Sequence, residues 1–261
     1  MLINFLRSIY PFTSLVFSTT KVLKKNIILV CLSLTLAGFN TPATADLDKL
    51  DRAAMHQVIK QYIMDNPEVL RDALMDLAAR EKQAIINAGL AKLRRDNGDP
   101  IMGNVNGSLV IYEFSDYNCG YCKRMFPTIQ QLLANNDDIR IVVKEFPILS
   151  QSSLIAAQAG IAAQKQGKFP AFHREMMTYR GRISETTIMT AARNAEIDLD
   201  RLRQDMDSPT TNAIIDRTRA SAAALEVNGT PALVVGDTII PGAVSMKELQ
   251  NIINRQRAKQ D

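Results

Sequence analysis

A chain of 261 residues, 46% hydrophobic and 22% charged with 12 Gly and 10 Pro, has the composition of a globular protein of one or two domains. Collagen-like, low-complexity and wholly disordered readings are excluded. Residues 1–45 hold Arg7, Lys21, Lys24 and Lys25 and no acid, so 27 of the 31 basic residues remain to balance 27 acidic ones, and the net +4 belongs to the leader.

A nucleic-acid partner is therefore not expected, since phosphate binding needs basic residues concentrated on the folded domain. In the leader, Lys21, Lys24 and Lys25 precede an apolar run from Ile27 to Phe39, and Ala43 and Ala45 close it. This is the order of a secretory signal peptide cleaved after Ala45. The apolar run is too short to span a bilayer. Residues 46–261 then keep two of the three cysteines, Cys119 and Cys122. An exported chain sits where disulfides persist, yet a loop closed by two cysteines three apart stabilises little. Chemistry explains the pair better than architecture.

Residues 46–97 read as a helical segment. Leu47, Leu50, Ala54, Val58 and Tyr62 recur at helical spacing, and Asn66-Pro67-Glu68 restarts the helix. Leu70, Leu74 and Leu77, then Ala84, Ala88 and Ala91, form the second apolar stripe. The segment is too small for a core of its own, so it packs on the main domain or pairs with copies of itself. Asp96-Asn97-Gly98-Asp99-Pro100 is a turn-rich boundary.

From residue 98 onward, 108–114 and 139–146 read as strands, 119–133 as the helix between them, and 150–226 as a helical block broken at Gly167, Gly181 and Ser208-Pro209. Ala232–Val235 and Thr238–Ile240 read as a hairpin, and Ser245 opens a last helix. Cys119 falls at the start of a helix, where unsatisfied backbone N–H groups favour an anion, and the thiolate is the nucleophile of disulfide exchange. Cys122, one turn on, is placed to resolve a mixed disulfide. A zinc site normally pairs two such motifs, and no metal is expected here. His56 and His173 lack ligand-spaced neighbours and read as surface or packing residues.

Strand, Cys119-Gly120-Tyr121-Cys122 and helix, with Pro127 eight residues past Cys119 and Thr230-Pro231 before the hairpin, resemble the DsbA-like thiol:disulfide oxidoreductases of the thioredoxin superfamily. Residues 56–78 and the stretch Asp116–Arg124 resemble the subgroup of ScsC-like and Com-type relatives with an N-terminal oligomerisation segment. The resemblance implies an α/β thioredoxin-like fold over 98–261 with a helical insertion at about 150–226, preceded by the all-helical segment. It implies Cys119 as nucleophile, Cys122 as resolving thiol, and Gly120 and Tyr121 as redox-tuning positions. Thr230 and a cis Pro231 would bind the client chain. Glu113, six residues before Cys119, is the candidate proton relay, and Lys144 its candidate partner, since a buried charge is normally paired.

Gly-Tyr between the cysteines and Thr before the proline match the family's isomerase rather than its strong oxidase. The resemblance thus implies a periplasmic isomerase or reductase with some oxidase activity and no cofactor. Its partners would be exported proteins with thiols or disulfides and a DsbD-like reductant or DsbB-like oxidant in the membrane, and it would be a homo-oligomer, dimer or trimer. A dedicated DsbA-type oxidase and a Cu(I)-binding module using the two thiols are the alternatives, as is outer-membrane association for a freely soluble mature chain.

Overall fold

The computed structural model describes residues 47–259. The signal-peptide expectation for residues 1–45 lies outside them. Two units are resolved, one reaching Tyr62 and one beginning at Ile63. Helix α1 (Leu47–Asp65) exposes Met55, Val58 and Ile59.

Helix α2 (Pro67–Leu93) opens on Pro67 with Glu68 in its first turn. Both suit a helix N-terminus, where an N–H is unpaired anyway and negative charge is favourable. The predicted stripe is not its buried face. Leu70, Leu74 and Leu77 are each at least half exposed. Burial begins only near the end of the helix, at Gly89, Leu90 and Leu93, which meet Ala222, Leu225 and Val227. A Cβ on Gly89 would come within 2.5 Å of Leu225 Cδ2, so the close approach there depends on glycine. The last turns of α2 are therefore core of the second unit, and the packing places no division at 97/98.

The remaining elements run β1 (Ile101–Gly103), β2 (Leu109–Ser115), α3 (Gly120–Ala134), β3 (Ile139–Glu145), α4 (Gln151–Lys165), α5 (Phe169–Thr178), α6 (Glu185–Asn194), α7 (Leu199–Met206), α8 (Pro209–Ala224), β4 (Ala232–Val235), β5 (Thr238–Pro241) and α9 (Met246–Arg257). The sheet order is β1-β3-β2-β4-β5, with β2 and β3 parallel and the other pairs antiparallel. Strands β2 and β3 are apolar on both faces, as strands covered on both sides must be.

One face carries Ile111, Ile141, Val143, Leu233 and Val235 under α3, the insertion and α9. The other carries Tyr112, Phe114, Val142 and Val234 under the end of α2 and of α8. The insertion, α4–α8, contains one break the sequence reading did not anticipate. Between α6 and α7 the chain turns through Glu196 at φ +55°, and Asp198 caps α7 by accepting from the Asp200 and Arg201 amides. Strand β1 was also unanticipated; it is three residues long and pairs only with β3. Among the described residues no helix is long and apolar enough to cross a membrane.

Candidate active site

Strand β2 delivers the chain to the site through the turn Asp116-Tyr117-Asn118. Asp116 is buried and holds that turn from three directions. Its Oδ1 accepts from the Asn118 amide at 2.8 Å and from the Ser153 hydroxyl at 2.7 Å. Its Oδ2 accepts from the Ile148 and Leu149 amides at 3.0 and 3.1 Å. One carboxylate thus joins the turn, the loop after β3 and the start of α4.

Cys119 occupies the N-cap of α3 in extended backbone conformation. Its Sγ accepts from the Cys122 amide at 3.4 Å, and its thiol donates to the Thr230 carbonyl at 3.1 Å. The Thr230–Pro231 peptide is cis. Cys119 retains 6% exposure and Cys122 none. Both are free thiols. Burial pushes the Cys122 thiol up, and nearby Glu113 and Cys119 add to this, while the Asp116 backbone amide opposes it. Cys119 is therefore the more exposed of the two sulfurs, and burial makes Cys122 hold its proton more tightly.

Gly120 and Tyr121 stand between the cysteines. The Arg124 guanidinium lies over the Tyr121 ring, 4.0 Å from its centroid. Its Nη1 is 3.4 Å from where a Cβ on Gly120 would stand. Pro127 lies inside α3, so one amide of that helix is missing.

Glu113 sits on the same sheet face as Val143 and is fully buried. Burial lifts its carboxyl to about 7. Among the described residues its Oε2 has no hydrogen-bond partner. The expected pairing with Lys144 is corrected by the register. Lys144 stands opposite Phe114, not Glu113, and so points to the other face. There its Nζ donates to Asp99 Oδ2 at 2.8 Å, and the Arg217 guanidinium donates to the same oxygen at 2.8 Å. Desolvation lowers the Lys144 ammonium and raises the Asp99 carboxyl, the mutual attraction opposing both. This cluster fastens the segment after α2 to β3 and α8, away from the thiols.

Three further residues near the thiols were not singled out from sequence as a group. The Tyr117 hydroxyl donates to Glu145 Oε1 at 2.8 Å and meets His173 Nδ1 at 3.1 Å. All three are fully buried. Burial raises Glu145 and Tyr117 well above their usual ranges and lowers His173 to about 3, so the imidazole is neutral. His173 is the packing residue expected, set among Phe126, Phe169 and Tyr117. Gly160 makes room for the group, since a Cβ there would come within 2.7 Å of Glu145 Oε1. Among the described residues no group of three or more His, Cys, Asp or Glu side chains is placed to hold a metal ion.

The model of the DSBA-like thioredoxin domain matches residues 110–254. The chain belongs to that family. The model of the N-terminal domain of the copper resistance protein ScsC matches residues 51–84.

Among solved structures, a thioredoxin-like oxidoreductase from Silicibacter pomeroyi is 39% identical, with a TM-score of 0.62 over 64% of this chain and 96% of that one. The catalytic domain of Proteus mirabilis ScsC is 28% identical, with a TM-score of 0.60 over 68% and 98%. The thiol-disulfide exchange protein alpha-DsbA2 from Wolbachia pipientis is 27% identical, with a TM-score of 0.58 over 66% and 97%. The Na(+)/H(+) antiporter NhaA of Herminiimonas arsenicoxydans is 28% identical over 160 residues, 61% of this chain and 26% of that protein. The chain spans about a quarter of the length of the curated relatives it matches. The chain has the thioredoxin-like α/β fold with a helical insertion, preceded by N-terminal helices.

Proposed function

We propose that this chain exchanges disulfides in exported proteins through Cys119 and Cys122, as an isomerase or reductase with some oxidase activity, in the periplasm and as a homo-oligomer. The observation that carries the reading is the asymmetry of the thiols: Cys119 at a helix N-cap beside the Thr230 carbonyl, Cys122 wholly buried one turn behind it.

In reduction or isomerisation, the Cys119 thiolate attacks a client disulfide. A Cys119–client bond forms, the client S–S bond breaks, and the second client sulfur leaves as a thiolate. In isomerisation another client thiolate then attacks the mixed disulfide, forming a new client disulfide and freeing the Cys119 thiolate; in reduction Cys122 instead gives its proton to the Glu113 carboxylate and attacks the Cys119 sulfur. The protein disulfide forms and the client thiolate departs. In oxidation the steps reverse: a client thiolate attacks Cys119, and the leaving Cys122 thiolate takes the Glu113 proton. A buried carboxyl with its midpoint near 7 is matched to both directions at neutral pH. Thr230 would pair its backbone with an extended client chain.

Gly120-Tyr121 and Thr230 support the isomerase side of the balance. The exposed apolar residues of the N-terminal helices support self-association, since Leu70, Leu74 and Leu77 would otherwise stand in water. The leader sequence supports export. A membrane-bound reductant or oxidant of the family's kind would recycle the pair.

Trapping tests the assignment. Cys122→Ala should accumulate mixed disulfides with clients and Cys119→Ala should not. Equal trapping by the two variants, or trapping by the Cys119 variant alone, overturns it. Reactivation of scrambled ribonuclease beside oxidation of reduced ribonuclease sets the balance between isomerase and oxidase.

A further inference from the structure

Beyond α2, five large apolar side chains are exposed among the described residues: Val105, Tyr121, Ile148, Leu149 and Tyr179. Four of the five are tied to the turn that carries Cys119. Tyr121 lies between the cysteines. Ile148 and Leu149 hang from the Asp116 carboxylate through their amides. Tyr179 accepts Lys123 Nζ on its carbonyl at 2.9 Å, with the ammonium 5.8 Å from its ring centroid. The same elements carry charge of one sign. Lys123 and Arg124 extend the first turn of α3, and Arg180 is within electrostatic reach of Lys123.

Residues 117–136, 146–174 and 176–184 contain no acidic side chain, in a chain whose charges balance from residue 46 on. Of the acids that border these stretches, Asp116 is buried with all its acceptors used, and Glu175 accepts from Asn194 at 2.7 Å. Arg124 is held in place by its stacking on Tyr121 over Gly120, so its charge is fixed on the dipeptide between the two cysteines.

We propose that this basic, apolar surface selects clients in which an acidic side chain stands within a few residues of the reacting cysteine, Lys123, Arg124 and Arg180 being the residues that read it. The inference rests on the dithiol reading above and names its client class. Fixed positive charge around a reactive group raises the encounter rate with anionic partners and falls off with salt. The four apolar side chains give an extended client the dry contact that keeps its thiol in place.

The test uses the full chain in its disulfide form and three reduced peptides, identical except for Asp, Ser or Lys two residues from one cysteine. Each rate of mixed-disulfide formation is divided by the rate of the same peptide with hydroxyethyl disulfide, which removes differences in peptide thiol acidity. At low salt the Asp peptide should react about tenfold faster than the Lys peptide, and at about 0.5 M salt the difference should fall below about twofold. The variant carrying K123Q and R124Q, and separately R180Q, should each reduce the low-salt ratio. A ratio is unaffected by the fraction of folded protein, so a folding defect does not imitate this. Equal rates at low salt, or a ratio the variants leave intact, overturn the selectivity and leave the dithiol chemistry standing. If no peptide forms a disulfide with Cys119, the dithiol reading fails and the selectivity with it.

Discussion

Glu113 and Lys144 stand on adjacent parallel strands but on opposite faces of one sheet, because Lys144 is in register with Phe114 and Glu113 with Val143. The two residues therefore do unrelated work, and their variants should separate. Lys144→Met leaves Asp99 buried with only Arg217 beside it, and should cost about 3–5 kcal/mol of stability. The pH dependence of mixed-disulfide resolution should not move. Urea unfolding together with stopped-flow resolution rates checks both halves.

Glu113→Gln should have the opposite signature. The carboxyl is lifted to about 7 by burial, so the folded state holds its proton more tightly than the unfolded state does. Stability from this group is complete below the unfolded value and is lost as pH rises to about 7. The Gln variant should match the parent at pH 4 and exceed it by about 3 kcal/mol at pH 8. Its resolution step should be slower and should lose the rise centred near pH 7. A difference between parent and Gln variant that stays constant from pH 4 to 8 would remove the basis for the relay.

Tyr117→Phe deletes one hydroxyl and leaves both Glu145 and His173 Nδ1 without their shared partner. A loss of about 1–3 kcal/mol should follow. Gly160→Ala should cost a similar amount, about 1–3 kcal/mol, because its methyl would enter the space of Glu145 Oε1 and the Tyr117 hydroxyl. The two costs should not add, since both act on the same contact. A double variant measured by thermal or urea unfolding decides this.

Two N-terminal deletions should differ sharply. Removing residues 46–78 takes away the exposed apolar positions of the N-terminal helices except Ile85 and leaves the buried end of α2. It should give a folded monomer that keeps dithiol reactivity and loses most repair of scrambled ribonuclease. Removing residues 46–95 also removes Leu90 and Leu93, each worth about 1.5–3 kcal/mol of burial, and should leave a poorly folded product. Light scattering and circular dichroism report the two outcomes.

The parts of the fold legible in the sequence were those with a local signal. Strands β2 and β3 announce themselves by runs of β-branched residues, and Ser245 caps α9 by accepting from the Glu248 amide. The cysteine pair and the Thr230-Pro231 peptide carry a family pattern. What was misread depends on relations between distant segments. Alternation along β3 separates Lys144 from Glu145, but only the register with β2 says which of them shares a face with Glu113. The stripe on α2 looked continuous, yet nothing local distinguishes the exposed Leu74 from the buried Leu90. The turn at Glu196 uses neither Gly nor Pro, and residues 117, 145 and 173 meet only after three elements have packed.

The complete burial of Cys122 also bears on oxidative damage. Peroxide reaches the sulfur that has some solvent, so Cys119 alone enters the path through sulfenic acid toward the irreversible acids. Cys122, held one turn away with its amide on the Cys119 sulfur, can condense with that sulfenic acid, releasing water and forming the disulfide. The cysteine that solvent does not touch would thereby return an oxidised Cys119 to a disulfide, the state that the proposed exchange already uses.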